Sequence, residues 1–270
     1  MNAIGPADLL RRRVAGDPAR PLVTFYDDAT GERVELSART FDNWVAKTAN
    51  LLVDGLGAEP GTRVVLVLPP HWQTAVWLMA CWSAGMVAVP REMGGTAEPL
   101  DVPSPYVLVS AEEVLDRMAT DRDAEEVVGL SLHALGGGLT AAPPGVVDYA
   151  VEVRGYGDRF VPGPEVTPEA PALDVTKDTL TGARLVEEAH EAAGKWHLDA
   201  RDRVLVDMAY TTLDGILAGL LAPLASGASV IIQRNFTKPS LDRRLTVEHV
   251  TAVAGVPGWN DPTGSARRLL

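Results

Sequence analysis

Residues 61–90 read GTRVVLVLPPHWQTAVWLMACWSAGMVAVP. From Arg63 to Leu68 every residue after the first is Val or Leu, the composition of a strand that is apolar on both faces. Pro69-Pro70 ends it, because proline brings no N–H to a ladder. His71 to Ala84 is rich in Trp, Met and Leu and reads as a helix closing at Gly85, and Val87 to Val89 reads as the next short strand. Strand, helix and strand joined this tightly form a parallel crossover, which is right-handed in nearly all sheets. An α/β fold follows, with layered, mostly parallel sheets flanked by helices.

The unit recurs on both sides. Downstream, Tyr106 to Val109 reads as a strand, Ala111 to Ala119 as a helix and Glu126 to Leu130 as a strand. Gly136 to Gly145 reads as a loop, and Asp148 to Arg154 as a helical turn or extended segment. Upstream, Ile4 to Arg13 is a short amphipathic helix. Pro21 to Tyr26 and Arg33 to Leu36 form a hairpin, and Ser37 caps a helix reaching about Leu52. Val161 to Pro171 is rich in Pro and Glu, which places a boundary there. The expected organisation is a first α/β subdomain over 1–165 and a second, shorter one over 166–270. In the second, Leu180 to Ala193 and Leu213 to Leu224 are helices. Asp202 to Asp207, Ser229 to Gln233 and Val250 to Ala254 are strands, Ser240 caps a short helix, and Gly255 to Leu270 trails off.

The chain has 270 residues, 46% of them hydrophobic, enough for a sizeable core. Thirty-six acidic against 24 basic residues give a formal net charge of -12, which argues against a nucleic-acid surface. No apolar stretch runs long enough without Pro, Gly or polar interruption to predict a membrane span. The single Cys81 cannot form an intrachain disulfide, which fits a cytoplasmic location, and its apolar surroundings predict a buried helix residue. The five histidines are dispersed and form no metal-ligand pair at HxxxH spacing, so no metal is expected. Glu187, Glu188, His190 and Glu191 read as a solvated helix face.

Taken in order, several segments resemble the N-terminal domain of the adenylate-forming superfamily: acyl- and aryl-CoA synthetases, peptide adenylation domains and luciferases. Asp17-Pro18-Ala19-Arg20-Pro21-Leu22-Val23 with Leu36 to Phe41 resembles that family's opening, and Gly61-Thr62-Arg63-Val64 through Leu68-Pro69 its first parallel strand. Ala84-Gly85 and Val89-Pro90, Asp202-Arg203-Val204-Leu205, Leu220 to Leu224, Gly227-Ala228 and Val250 to Pro257 continue the likeness along nearly the whole chain. A short actinobacterial branch is most similar. The resemblance implies the fold of that N-terminal domain in a truncated form.

The resemblance also implies where the site residues stand. The family's Ser/Thr/Gly-rich phosphate loop corresponds to Ala172 to Gly182, where Thr176, Lys177, Thr179 and Gly182 are the candidate nucleotide-binding residues. Asp178 stands where a glycine is expected, and a carboxylate there repels triphosphate oxygens. In the family's acyl-pocket motif, Thr212 takes the place of a His and Gly215 matches, making these two the substrate-binding candidates. The family's later ATP-binding segments and catalytic Lys have no counterpart up to Leu270. The expectation is therefore a ligase-like pseudoenzyme with no catalytic residues and no cofactor, binding a small acid, a nucleotide or a protein partner. The alternatives are a ligase completed by a separate chain and a purely structural protein. A homodimer is expected, because Val250 to Ala254 would leave a sheet edge bare and Leu213 to Leu224 is apolar for a surface helix. The competing reading is a monomer whose tail, from Trp259 on, folds back over the gap.

Overall fold

The computed structural model describes residues 4–94, 100–133, 136–175, 179–259, 261 and 264–270. Its strands are β1 (Pro21–Asp27), β2 (Glu32–Ser37), β3 (Arg63–Val67), β4 (Val87–Pro90), β5 (Tyr106–Ala111), β6 (Ala124–Leu130), β7 (Val146–Asp148), β8 (Pro171–Asp174), β9 (Thr179–Thr181), β10 (Arg203–Val206), β11 (Ser229–Arg234), β12 (Ala252–Ala254) and β13 (Arg267–Arg268). The helices are α1 (Pro6–Gly16), α2 (Ala38–Asn50), α3 (Trp72–Ser83), α4 (Glu112–Met118), α5 (Tyr149–Glu152), α6 (Gly182–Lys195), α7 (Leu213–Ile216), α8 (Ala222–Ser226) and α9 (Lys238–Val247). A π-turn over Leu217–Leu221 joins α7 to α8.

Two sheets result, one ordered β13-β12-β10-β11-β1-β2 and the other β7-β6-β5-β3-β4-β8-β9. Among the described residues every pairing is parallel except the hairpins β1–β2 and β8–β9, which form one outer edge of each sheet. The period-2 alternation of the strands explains the layering. Val64 and Leu66 of β3 and Val204 and Val206 of β10 face one shared core between the sheets. Their neighbours turn outward: Val65 and Val67 meet Val114 and Met118 of α4, and Leu205 meets Leu241 of α9. Both faces of each sheet are thus apolar, as the sequence of β3 predicts.

Helix α3 lies in the middle layer and is buried on all sides from Trp72 to Trp82, so it lacks a polar face. Cys81 is fully buried within it, and that burial pushes its thiol pKa up.

The sheets do not follow a division at residue 165. Strands β1 and β2 join the sheet of β10 to β13, through the register Val23↔Val230 and Phe25↔Ile232, while β8 and β9 join the other sheet beside β4. β1 is apolar on both faces, with Leu22, Val23 and Phe25 buried, which suits an interior strand whose backbone groups are paired on both sides, to β2 and to β11.

Three expectations are corrected. Leu180 lies in β9, not in α6, because Thr181 caps that helix through its side chain. Residues 213–224 are not a surface helix: Ile216 to Leu224 are buried in the central core. Finally, β12 is not a bare edge, since β13 pairs with it in parallel, Ala252↔Arg267 and Val253↔Arg268. Arg267 and Leu269 donate their N–H groups to the carbonyls of Thr251 and Val253 at 2.8 and 2.9 Å, and Arg267 pairs with the buried Asp202 at 2.9 Å. Trp259 is buried against the outer face of the same sheet.

A charged cluster ties the first sheet together. Glu248, at the end of α9, accepts from Arg203 of β10, from Arg33 of β2 at 3.1 Å and from the hydroxyl of Tyr26 of β1. Arg244 packs over the Tyr26 ring at 4.0 Å and pairs with Asp28. Three strands and one helix are held in register by these contacts.

Candidate functional site

The segment matching the phosphate loop runs from β8 into the first turn of α6. Thr176, Lys177 and Asp178 lie outside the described residues. Thr179 opens β9, opposite Asp174 of β8, and its side chain is exposed. Gly182 is the first residue of α6.

A helix start can hold an anion because its first N–H groups lack intrahelical partners. At α6 those groups are already occupied. Gly182 donates to the carbonyl of Ala170 at 3.2 Å, Ala183 to that of Pro168 at 2.6 Å, and Arg184 to the Thr181 hydroxyl at 3.2 Å. Two of these acceptors come from the Pro-rich segment at 162–171, which folds back over the helix end. Gly182 also borders a cavity of about 200 Å³, shared with Asp8, Arg11, Trp82 and Thr167, but none of Thr179, Thr212 and Gly215 does.

Thr212 and Gly215 lie past the carboxyl end of β10. Thr212 caps α7, its hydroxyl accepting from the Gly215 N–H at 3.1 Å. A side chain at position 215 would sit 1.9 Å from the Ala209 carbonyl oxygen, so the glycine permits a close approach of backbones. Both residues therefore have structural tasks. Beside them, Gly255 adopts φ +77, and a Cβ there would meet Met208 at 2.1 Å. Asp207, at the end of β10, is half-buried, and burial raises its carboxyl pKa to about 6.

Glu187, His190 and Glu191 of α6 are exposed and Glu188 half-buried, which makes this a solvated helix face. Arg184 of α6 pairs with Glu187 at 3.0 Å and with Glu188, all on the exposed side. Among the described residues no group of three or more His, Cys, Asp or Glu could hold a metal ion, and no helix is long and apolar enough to cross a membrane.

Sequence reasoning singled out neither Glu32 nor His71, whose side chains approach to 3.9 Å in the fold. They stand 39 positions apart, Glu32 opening β2 of one sheet and His71 capping α3 after β3 of the other, and no local spacing links them. The only local sign is a His directly after Pro69-Pro70 at the start of an apolar helix.

Comparison with known proteins agrees with this architecture. The AMP-binding enzyme family profile matches residues 10–103. A TIGR03089 family protein of Mycobacterium tuberculosis is 38% identical over 248 residues, covering 91% of this chain and 96% of that one. A sulfoacetate–CoA ligase of Cupriavidus necator is 25% identical over 96% of this chain, which spans only 52% of the ligase. The crystal structure of a Brucella canis acyl-CoA synthetase superposes with a TM-score of 0.76 at 17% identity, over 97% of this chain and 48% of the synthetase. The likeness to the Mycobacterium tuberculosis protein spans nearly all of both chains, and the family profile and the ligase place it on the same fold, so the chain belongs to the TIGR03089 family within the AMP-binding, adenylate-forming superfamily.

Proposed function

We propose that this protein keeps the adenylate-forming scaffold as a binding body and does not itself activate an acid with ATP. The observation that carries this reading is the occupied start of α6. Acyl-adenylate formation requires charge stabilisation around the transferring phosphoryl group. The Gly182, Ala183 and Arg184 N–H groups, which could help supply it, are engaged by Ala170, Pro168 and Thr181. Thr212 and Gly215 are likewise engaged with each other. A small acid, a nucleotide or a protein partner remains the kind of ligand in view.

Purified full chain mixed with Mg-ATP and a panel of aliphatic and aromatic acids tests the reading by pyrophosphate release. No release above the protein-free blank is expected, and no saturable heat on titration with Mg-ATP. Release that Thr179→Ala abolishes would refute the proposal.

On assembly and location, we carry the monomer with a folded-back tail in place of the homodimer, because both premises of the dimer are gone. The buried, unpaired Cys81 supports a reducing, cytoplasmic setting.

A further inference from the structure

The carboxyl ends of parallel strands from both sheets converge on one cavity of about 510 Å³, within the usual size of a small-molecule site. Asp27 ends β1 and Arg234 ends β11. His71 follows β3, Glu113 follows β5 and Ser131 follows β6. Ligands of open α/β sheets bind outside such strand ends. None of Thr179, Gly182, Thr212 and Gly215 borders this cavity.

Its wall carries two buried polar atoms without hydrogen-bond partners, Nε2 of His71 and Oε1 of Glu32. The His71 side chain is only 1% exposed and that of Glu32 8%. Nδ1 of His71 accepts from the Gln73 N–H at 3.1 Å, capping α3. A neutral imidazole carries one N–H, so with Nδ1 accepting, the proton resides on Nε2. Phe25 packs edge-on against the ring at 4.3 Å and holds its orientation. Burial lowers the His71 pKa to about 3, Arg234 adding to the effect, which keeps the ring neutral. Burial, with Asp27 adding to it, raises the Glu32 pKa to about 7.

The donor on Nε2 and the acceptor on Oε1 are 3.9 Å apart, too far for a direct hydrogen bond. One oxygen placed about 2.8 Å from each would complete both. With Glu32 ionised, that oxygen accepts from His71 and donates to Glu32, which is the property of a hydroxyl. A metal ion is disfavoured, because a protonated Nε2 has no lone pair to give. An ammonium group cannot accept from it. An anion meets Asp27, Glu32 and Glu113, while the guanidinium of Arg234 is already paired to Glu113 at 2.7 Å.

We propose that this cavity is a binding site for a small uncharged polyhydroxy compound, a polyol or a sugar, with one hydroxyl seated between His71 Nε2 and Glu32 Oε1. The site is separate from the α6 region and stands or falls independently of the reading given for it.

The test is a titration of the full chain, labelled with ¹⁵N-histidine, with glycerol, D-ribose and D-glucose, following the His71 Nε2 resonance. Sodium acetate and zinc are run in parallel. At least one polyol or sugar is expected to shift that resonance saturably, and neither acetate nor zinc to do so. Glu32→Gln is expected to weaken the sugar about fivefold or more. His71→Asn, which preserves a cap for α3, is expected to weaken it tenfold or more, read from the sugar's own NMR signals. Saturation by acetate or zinc in place of the sugars overturns the proposal. So does the absence of any saturable sugar shift, which would mean that water alone bridges the pair, and so does sugar binding unchanged in both variants.

Discussion

The hydroxyl of Tyr210 donates a hydrogen bond to the carbonyl oxygen of Gly219 at 3.0 Å, inside the core. Residue 223, four positions on and the usual α-helical donor to that oxygen, is proline and has no N–H. The ladder here shifts to the wider π pattern, with Ala222 donating to Leu217. Tyr210 supplies the contact that the proline withholds. Tyr210→Phe should therefore destabilise the protein by about 1 kcal/mol, and by up to about 3 if the carbonyl is left unsatisfied. Urea unfolding at constant m-value reads this directly, and an unchanged midpoint would show the hydroxyl to be dispensable.

Glu248 is the acceptor on which Arg203, Arg33 and Tyr26 converge. Removing it leaves the partly buried Arg203 guanidinium with the Thr24 hydroxyl at 3.0 Å and the longer Glu35 contact at 3.4 Å, so Glu248→Ala should cost on the order of 2 kcal/mol. Adding Arg203→Met should recover part of that loss, since the partly buried guanidinium that has lost its nearest carboxylate is then removed. A double-mutant cycle by chemical denaturation measures the coupling, and purely additive costs would contradict this account.

Glu32 and His71 pull the pH dependence of stability in opposite directions. The folded pKa of Glu32 is raised from 4.5 to about 7. The folded state then holds the proton more tightly, and this group's contribution, full below 4.5, is lost as pH rises through 7. His71 is lowered from 6.5 to about 3, so its contribution is full above 6.5 and is lost as pH falls toward 3. The stability difference between wild type and Glu32→Gln should decline from pH 4.5 to pH 7 and be flat beyond. Thermal melts across that range check it, and a difference that grows with pH would reverse the assignment.

The pairing of β13 with β12 covers the end of the first sheet. Deleting residues 264–270 removes the Arg267 and Leu269 backbone bonds and the Arg267–Asp202 ion pair. An uncovered parallel edge recruits other chains. Light scattering should show a constant monomer mass for the full chain and a mass that climbs with concentration for the shortened one. A shortened chain that stays monomeric would mean that the edge is protected in another way.

What the sequence disclosed follows from where free energy is concentrated. The strands β3, β5, β10 and β11 and the helix α3 were readable because their burial on both sides forces near-continuous runs such as Val64 to Leu68. Ser37 foretold the start of α2 through its bond from Thr40. Arg267 and Arg268 gave no sign of β13, whose side chains are exposed and whose pairing is a matter of backbone alone. β8 was hidden by its Pro171 start and its length of four residues. For the candidate site, positions 179, 182, 212 and 215 could be located by order along the chain. The engagement of the α6 N–H groups could not, because Pro168 and Ala170 carry no pattern that announces their carbonyls. The meeting of Glu32 and His71 required both sheets to be in place.

The exchange of strands between the two sheets sets a timetable for synthesis. β1 ends at Asp27, and its parallel partner β11 starts at Ser229. A ribosome adding about 5–20 residues per second separates the two by roughly 10–40 s. Through that interval the nascent chain carries Leu22, Val23 and Phe25 on a hairpin whose second edge has no mate. The front of this protein is thus the part that waits longest with an unpaired apolar edge, and translation products that stop short of Ser229 should keep that edge open.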